Sequence, residues 1–105
     1  MENVLSSIQK WYVEQCDGNW EHSYSIKIES LDNPGWYIAI DLMDSSAELA
    51  KDTIINSEID DNNWYNIQIK NGQYIASGDP MKLFFLLEKF KELVIEGSNK
   101  LEAST

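Results

Sequence analysis

The hydrophobic pattern changes period twice along the chain, and this limits the folds open to it. Val4, Leu5, Ile8, Trp11, Tyr12 and Gln15 recur every three or four residues. That spacing lays a single stripe along a helix over residues 3–15. From residue 23 the period drops to two. Tyr24, Ile26 and Ile28 alternate with Ser25, Lys27 and Glu29, and Trp36, Ile38, Ile40 and Leu42 share one face of the next segment. Such alternation predicts half-buried strands over 23–30 and 36–42. Ile55 and Ile59 mark a third strand over 53–59, and Tyr65, Ile67 and Ile69 a fourth over 64–70; residues 73–77 read as a fifth. The helical period then returns with Leu83, Phe84, Leu86, Leu87, Phe90, Leu93 and Val94.

The segments between these runs carry turn chemistry. Asp17-Gly18 stops the first helix, and an aromatic, polar turn follows it, Asn19-Trp20-Glu21-His22. Leu31-Asp32-Asn33-Pro34-Gly35 reads as a turn between the first two strands, rather than a binding loop. Residues 43–52 are polar, with a short helical turn predicted at 46–50. Asp60-Asp61-Asn62-Asn63 is a loop, and Asn71-Gly72 suits the two positive-φ positions of a type I′ hairpin. Asp79 is read as the N-cap of the last helix, Pro80 as its first residue and Gly97 as its stop. The order predicts an α+β fold: an antiparallel sheet of about five strands, with an N-terminal and a C-terminal helix packed on one face. Residues 1–97 form one domain on this reading, and 98–105 a flexible polar tail.

Charge narrows the function. The chain has 105 residues, with 18 acids against 8 lysines, no arginine and a net charge of -10. A duplex or an anionic membrane would be repelled, so neither nucleic acid nor membrane is an expected ligand. A basic partner is the natural complement, although solubility alone is also served by such a charge. No apolar run reaches the roughly 18–20 residues that span a bilayer. The N-terminal residues lack a basic segment followed by an apolar one, and Cys16 is the single cysteine. Both features fit a reducing cytoplasm.

Several chemistries can be weighed. Cys16 and His22 are near in sequence, and Asp17 or Glu21 could orient the histidine as a base for the thiol. No glycine-rich oxyanion loop accompanies the pair, so an incidental thiol beside a turn histidine is favoured. Cys16, Asp17, Glu21 and His22 also offer metal-ligand types, but zinc usually takes more His or Cys, and no calcium-loop spacing is present. Paired carboxylates are unavoidable among 18 acids and specify nothing. No cofactor, metal or catalytic residue is therefore expected.

The tryptophans say more. Trp11 and Trp36 lie on apolar faces and read as core. Trp20 sits in a turn, and Trp64 projects away from the face that Tyr65, Ile67 and Ile69 share. Both could be exposed anchors of a binding surface, or caps on the ends of the sheet. The charge is also localised. Asp41, Asp44, Glu48, Asp52, Glu58, Asp60 and Asp61 stand against Lys51 alone, so residues 41–61 carry a net -6.

The stretch Trp11-Tyr12-Val13-Glu14-Gln15-Cys16-Asp17-Gly18-Asn19-Trp20-Glu21-His22, with Leu31-Asp32-Asn33-Pro34-Gly35-Trp36 after it, resembles the immunity protein 53 family of bacterial polymorphic toxin systems. The Gly78-Asp79-Pro80 helix start fits the same layout, and the resemblance spans about residues 8–95. It implies a single α+β domain that is made in the cytoplasm, binds the catalytic domain of a cognate toxin and has no catalysis of its own. The leading expectation is a stoichiometric inhibitor that docks a cationic toxin domain, such as a nuclease. Its docking residues would be Asp41, Asp44, Glu48, Asp52, Glu58, Asp60 and Asp61, helped by Trp64, Trp20 and Glu21. A small enzyme using Cys16 and His22, or an interaction module unrelated to toxins, is the alternative. Neither the toxin's activity nor the oligomeric state, monomer or weak dimer, follows from the sequence.

Overall fold

The computed structural model describes residues 3–97. Helix α1 spans Val4–Gln15, and the Asn3 side chain caps it by accepting the Ser6 N–H at 2.7 Å. A one-turn helix α2, Trp20–Ser23, follows where a turn was expected, and it delays the first strand to Ile26. The strands are β1 Ile26–Leu31, β2 Gly35–Asp41, β3 Thr53–Asp60, β4 Asn63–Lys70 and β5 Gln73–Gly78. They form one antiparallel sheet in the order β1-β2-β5-β4-β3. The α+β class and the five strands read from the sequence are both present. Asn71 and Gly72 take φ of 55° and 73°, as the β4–β5 hairpin requires.

Helix α3, Leu83–Phe90, continues into a π-helical segment, Lys91–Glu96. The start differs from the expectation at Pro80. Asp79 does not cap α3; its Oδ1 accepts the Met81 N–H at 2.9 Å and its backbone carbonyl accepts the Lys82 N–H at 3.0 Å. These bonds make a separate turn, and the helix begins only after it. Gly97 keeps right-handed helical angles (φ -62°, ψ -43°), so it is not a left-handed stop. The tail expected over 98–105 lies outside the described residues.

The helices cover one face of the sheet. Ile38, Ile40, Ile67, Tyr74 and Ala76 on that face meet Leu86, Phe90 and Val94, all with no exposed surface. Tyr74 ties the layers together: its hydroxyl donates to the Leu86 carbonyl at 2.7 Å, and burial pushes its pKa up. Trp11 closes the helical side, edge-on to Phe90 at 5.2 Å and to Trp20 at 6.0 Å. Its indole N–H has no hydrogen-bond acceptor among the described residues. Residues 42–50 return over the same side. Buried Gln15 holds them there, accepting the Ser46 N–H at 2.9 Å and donating to the Ser46 hydroxyl at 3.2 Å. Within the segment, Glu48 N–H donates to the Ser45 carbonyl and Ala50 N–H to the Ala47 carbonyl, so residues 46–50 form turns and no regular helix.

Candidate functional site

The fold divides the acidic stretch 41–61 between two places. Asp41 ends β2 and is committed to structure, accepting from the Ser25 N–H at 2.9 Å and the Gln73 amide at 3.0 Å. Asp44 takes φ 56° and accepts from the Tyr24 hydroxyl at 3.1 Å. The phenol's pKa is raised, first by that bond and the Asp44 charge, then by burial and the charges of Asp41 and Glu48. Asp41, Asp44 and Glu48 therefore lie toward one end of the sheet, with Asp44 in contact with Tyr24. Exposed Asp52 precedes β3 at this same end.

Glu58, Asp60 and Asp61 lie at the other end. Glu58 is exposed and pairs across the strands with Trp64, while Asp60 closes the β3–β4 turn by accepting the Asn62 N–H at 2.8 Å. Seven residue steps along β3 separate Thr53 from Asp60, roughly 23 Å at strand rise. Contiguity in sequence thus produced two clusters, not one patch.

The two tryptophans also part. Trp20 is buried, with 3% exposure, and cannot serve as an exposed anchor. The cause is local. Asp17 Oδ1 accepts the Asn19 and Trp20 N–H groups at 2.9 and 3.0 Å, which starts α2 and turns the indole inward. There its N–H donates to the Met43 carbonyl at 3.0 Å. Glu21 completes the arrangement by reaching back to the Asp17 and Gly18 N–H groups at 3.0 and 2.9 Å, a reciprocal cap. Backbone donors, its own N–H first and then those of Gly18 and Asp17, hold the Glu21 carboxyl below the usual range. The N–H groups of Trp20 and Asn19 do the same for Asp17. Glu21 is thus engaged in its own turn.

Trp64 is half-buried on the opposite face of the sheet. Its ring reaches Gly35, where its Cζ2 would stand 3.4 Å from any added Cβ; that Cβ would also strike the Gly78 carbonyl oxygen. Glycine is therefore required at position 35. The Trp64 backbone is pinned by Asp79, whose Oδ2 accepts the Trp64 N–H at 2.9 Å and whose own N–H donates to the Trp64 carbonyl at 3.1 Å.

This opposite face is covered by no described element. Pairing lines up two rows across β2, β5, β4 and β3: Tyr37, Ser77, Asn66, Asn56, and Ala39, Ile75, Gln68, Ile54. None of these eight residues is charged, although 25% of the chain is. Lys27, Glu29, Asp41, Lys70 and Glu58 stand around them. Where the first row meets Trp64 and Glu58, a groove of about 400 Å³ opens, lined also by Asn56, Asn66 and Ser77. The sequence placed Trp64 on this outward side but did not show that the neighbouring outward positions form one uncharged face. The missing charge at alternate strand positions was the signal available.

No hydrogen bond joins Cys16 to His22 among the described residues. The Cys16 thiol donates to the Tyr12 carbonyl at 3.3 Å, and His22 is exposed at the end of α2. Among the described residues no three His, Cys, Asp or Glu side chains are placed to hold a metal ion. No described helix is long and apolar enough to cross a membrane. A second, apolar groove of about 310 Å³ lies between α1 and α3, bordered by Leu5 and Phe84.

Comparison with known proteins gives no match among curated sequences and none among solved structures. A family profile described as immunity protein 53 does match, over residues 5–95. That span holds the Asp17–Glu21 cap, the Gly35 contact with Trp64 and the Asp79 turn, and on this match the chain belongs to the immunity protein 53 family.

Proposed function

We propose that this protein neutralises a cognate bacterial toxin domain by binding it stoichiometrically in the cytoplasm, and that the target is cationic, as a nuclease domain would be. Membership in an immunity protein family is the observation that carries the reading. The net charge of -10 supports the choice of target, because opposite charge speeds association and rejects anionic competitors. In this mechanism Asp and Glu side chains sit where substrate phosphates would lie. They act as substrate mimics, and the immunity protein needs no reaction of its own. Of the acidic groups, Glu58 is the best placed, because it lines the groove beside Trp64 on the uncovered face, and Asp60 and Asp61 follow it at the same end of the sheet. Asp41 is engaged by Ser25 and Gln73, and Asp44 by Tyr24.

The toxin domain encoded beside this gene supplies the test. Its activity is measured with a rising molar ratio of the purified protein, at low and at physiological salt. Full inhibition near one equivalent is expected, with an association rate that falls as salt rises. Asp60→Lys combined with Asp61→Lys should slow association about tenfold or more. Unchanged toxin activity at excess inhibitor would refute the function. Full inhibition with no salt dependence and no effect of the double variant would refute the acidic mechanism alone.

A further inference from the structure

We propose that the toxin docks on the uncovered face of the sheet, with one of its lysine or arginine side chains seated in the groove between Trp64 and Glu58. This rests on the toxin-binding reading and gives it a surface. Three observations converge on that face. The helices and residues 42–50 all pack on the other side, so five strands leave one side without a covering layer. The two central rows carry no charge while charged residues surround them, and depletion of charge at the centre is a mark of protein interfaces. The groove at their edge offers a carboxylate, amide and hydroxyl groups and a half-buried indole, and no lysine lines it.

That lining suits a cationic side chain. Glu58 supplies the counter-charge, the Asn56 and Asn66 side-chain carbonyls and the Ser77 hydroxyl can accept from ammonium or guanidinium N–H groups, and the Trp64 ring face attracts a cation. An anionic occupant would meet the Glu58 carboxylate. The occupant is therefore a basic protein surface and not a second copy of this chain, whose net charge of -10 would repel its like. The acids around Tyr24 fall outside the docked area, because they lie at the far end of the sheet.

The experiment compares variants on the two sides of the molecule, using the toxin domain encoded beside the gene as the probe. Glu58→Lys and Asn66→Arg alter the proposed face; Glu92→Lys alters the helical side by the same two charges as Glu58→Lys. All three positions are exposed, and circular dichroism confirms folding of each variant. Glu58→Lys and Asn66→Arg should weaken toxin binding about tenfold or more, and Glu92→Lys less than about threefold. Equal effects from Glu58→Lys and Glu92→Lys, or tight binding retained by Asn66→Arg, would overturn the docking face and leave the toxin-binding function standing. A wild-type dimer that Asn66→Arg dissociates would assign the face to a second copy and overturn the proposal. Failure of the wild-type protein to bind the toxin would remove the function and this surface together.

Discussion

Asp79 has no exposed surface, yet its carboxylate is charged and fully engaged. Burial raises its pKa, but the Lys82 ammonium at 2.7 Å, with the N–H groups of Trp64 and Met81, outweighs that and holds the carboxyl below its usual value. The sign follows directly. A group with a depressed folded pKa stabilises the fold above its unfolded value, near 3.9, and that contribution is lost as pH falls through the folded value. Asp79→Ala should therefore cost about 3 kcal/mol at pH 7, since it leaves the Trp64 and Met81 N–H donors without their acceptor and removes the carboxylate paired with the Lys82 ammonium. The gap between wild type and variant should stay constant above about pH 5 and close as the pH falls below about 4, as read from urea midpoints at each pH. A gap of the same size at pH 2.5 would show that packing, and not the charge, was lost.

At the scale of elements, the ends of β2, β5 and β4 are fitted to one another through Gly35. Its missing side chain leaves room for the Gly78 carbonyl and the Trp64 ring. Gly35→Ala should lower stability by about 1–3 kcal/mol, because backbone must move to admit the methyl group. Thermal unfolding and tryptophan fluorescence check this, with Ser30→Ala on exposed β1 as a comparison expected to stay within about 0.5 kcal/mol. The same elements show what could be read in advance. Periodicity alone located the strands, because each alternates between a covered and an open side. It missed α2, because one helical turn is set by the Asp17–Glu21 cap and not by a repeating pattern. It misplaced the start of α3, because Asp79 and Pro80 have the residue types of a helix start while the Asp79 side chain is drawn to β4. Trp20 was read in a turn and instead begins α2, and its indole is held by the Met43 carbonyl, 23 residues later. The site was the least legible part, since linear charge density cannot show that β3 carries residues 53–60 from one end of the sheet to the other.

Across the whole molecule, a net charge of -10 on 105 residues stores self-repulsion that salt screens. Raising NaCl from about 10 to 150 mM should therefore increase the unfolding midpoint of the free protein while slowing its association with a cationic toxin. These opposite signs distinguish global repulsion from steering toward a partner. A midpoint that fell with salt would mean that local ion pairs, such as Lys89–Glu92 at 3.1 Å, outweigh the repulsion.

The one-sided layering of this fold has a consequence for how such a chain can change. Residues that hold the molecule together, including Trp11, Gln15, Tyr74 and Asp79, face the helices or lie in the turns. Exposed outward positions such as Ile54, Asn56, Glu58 and Asn66 have few structural duties, so substitutions there cost little stability. Specificity can therefore drift from one target to another by single steps on the open side, with each intermediate still folded.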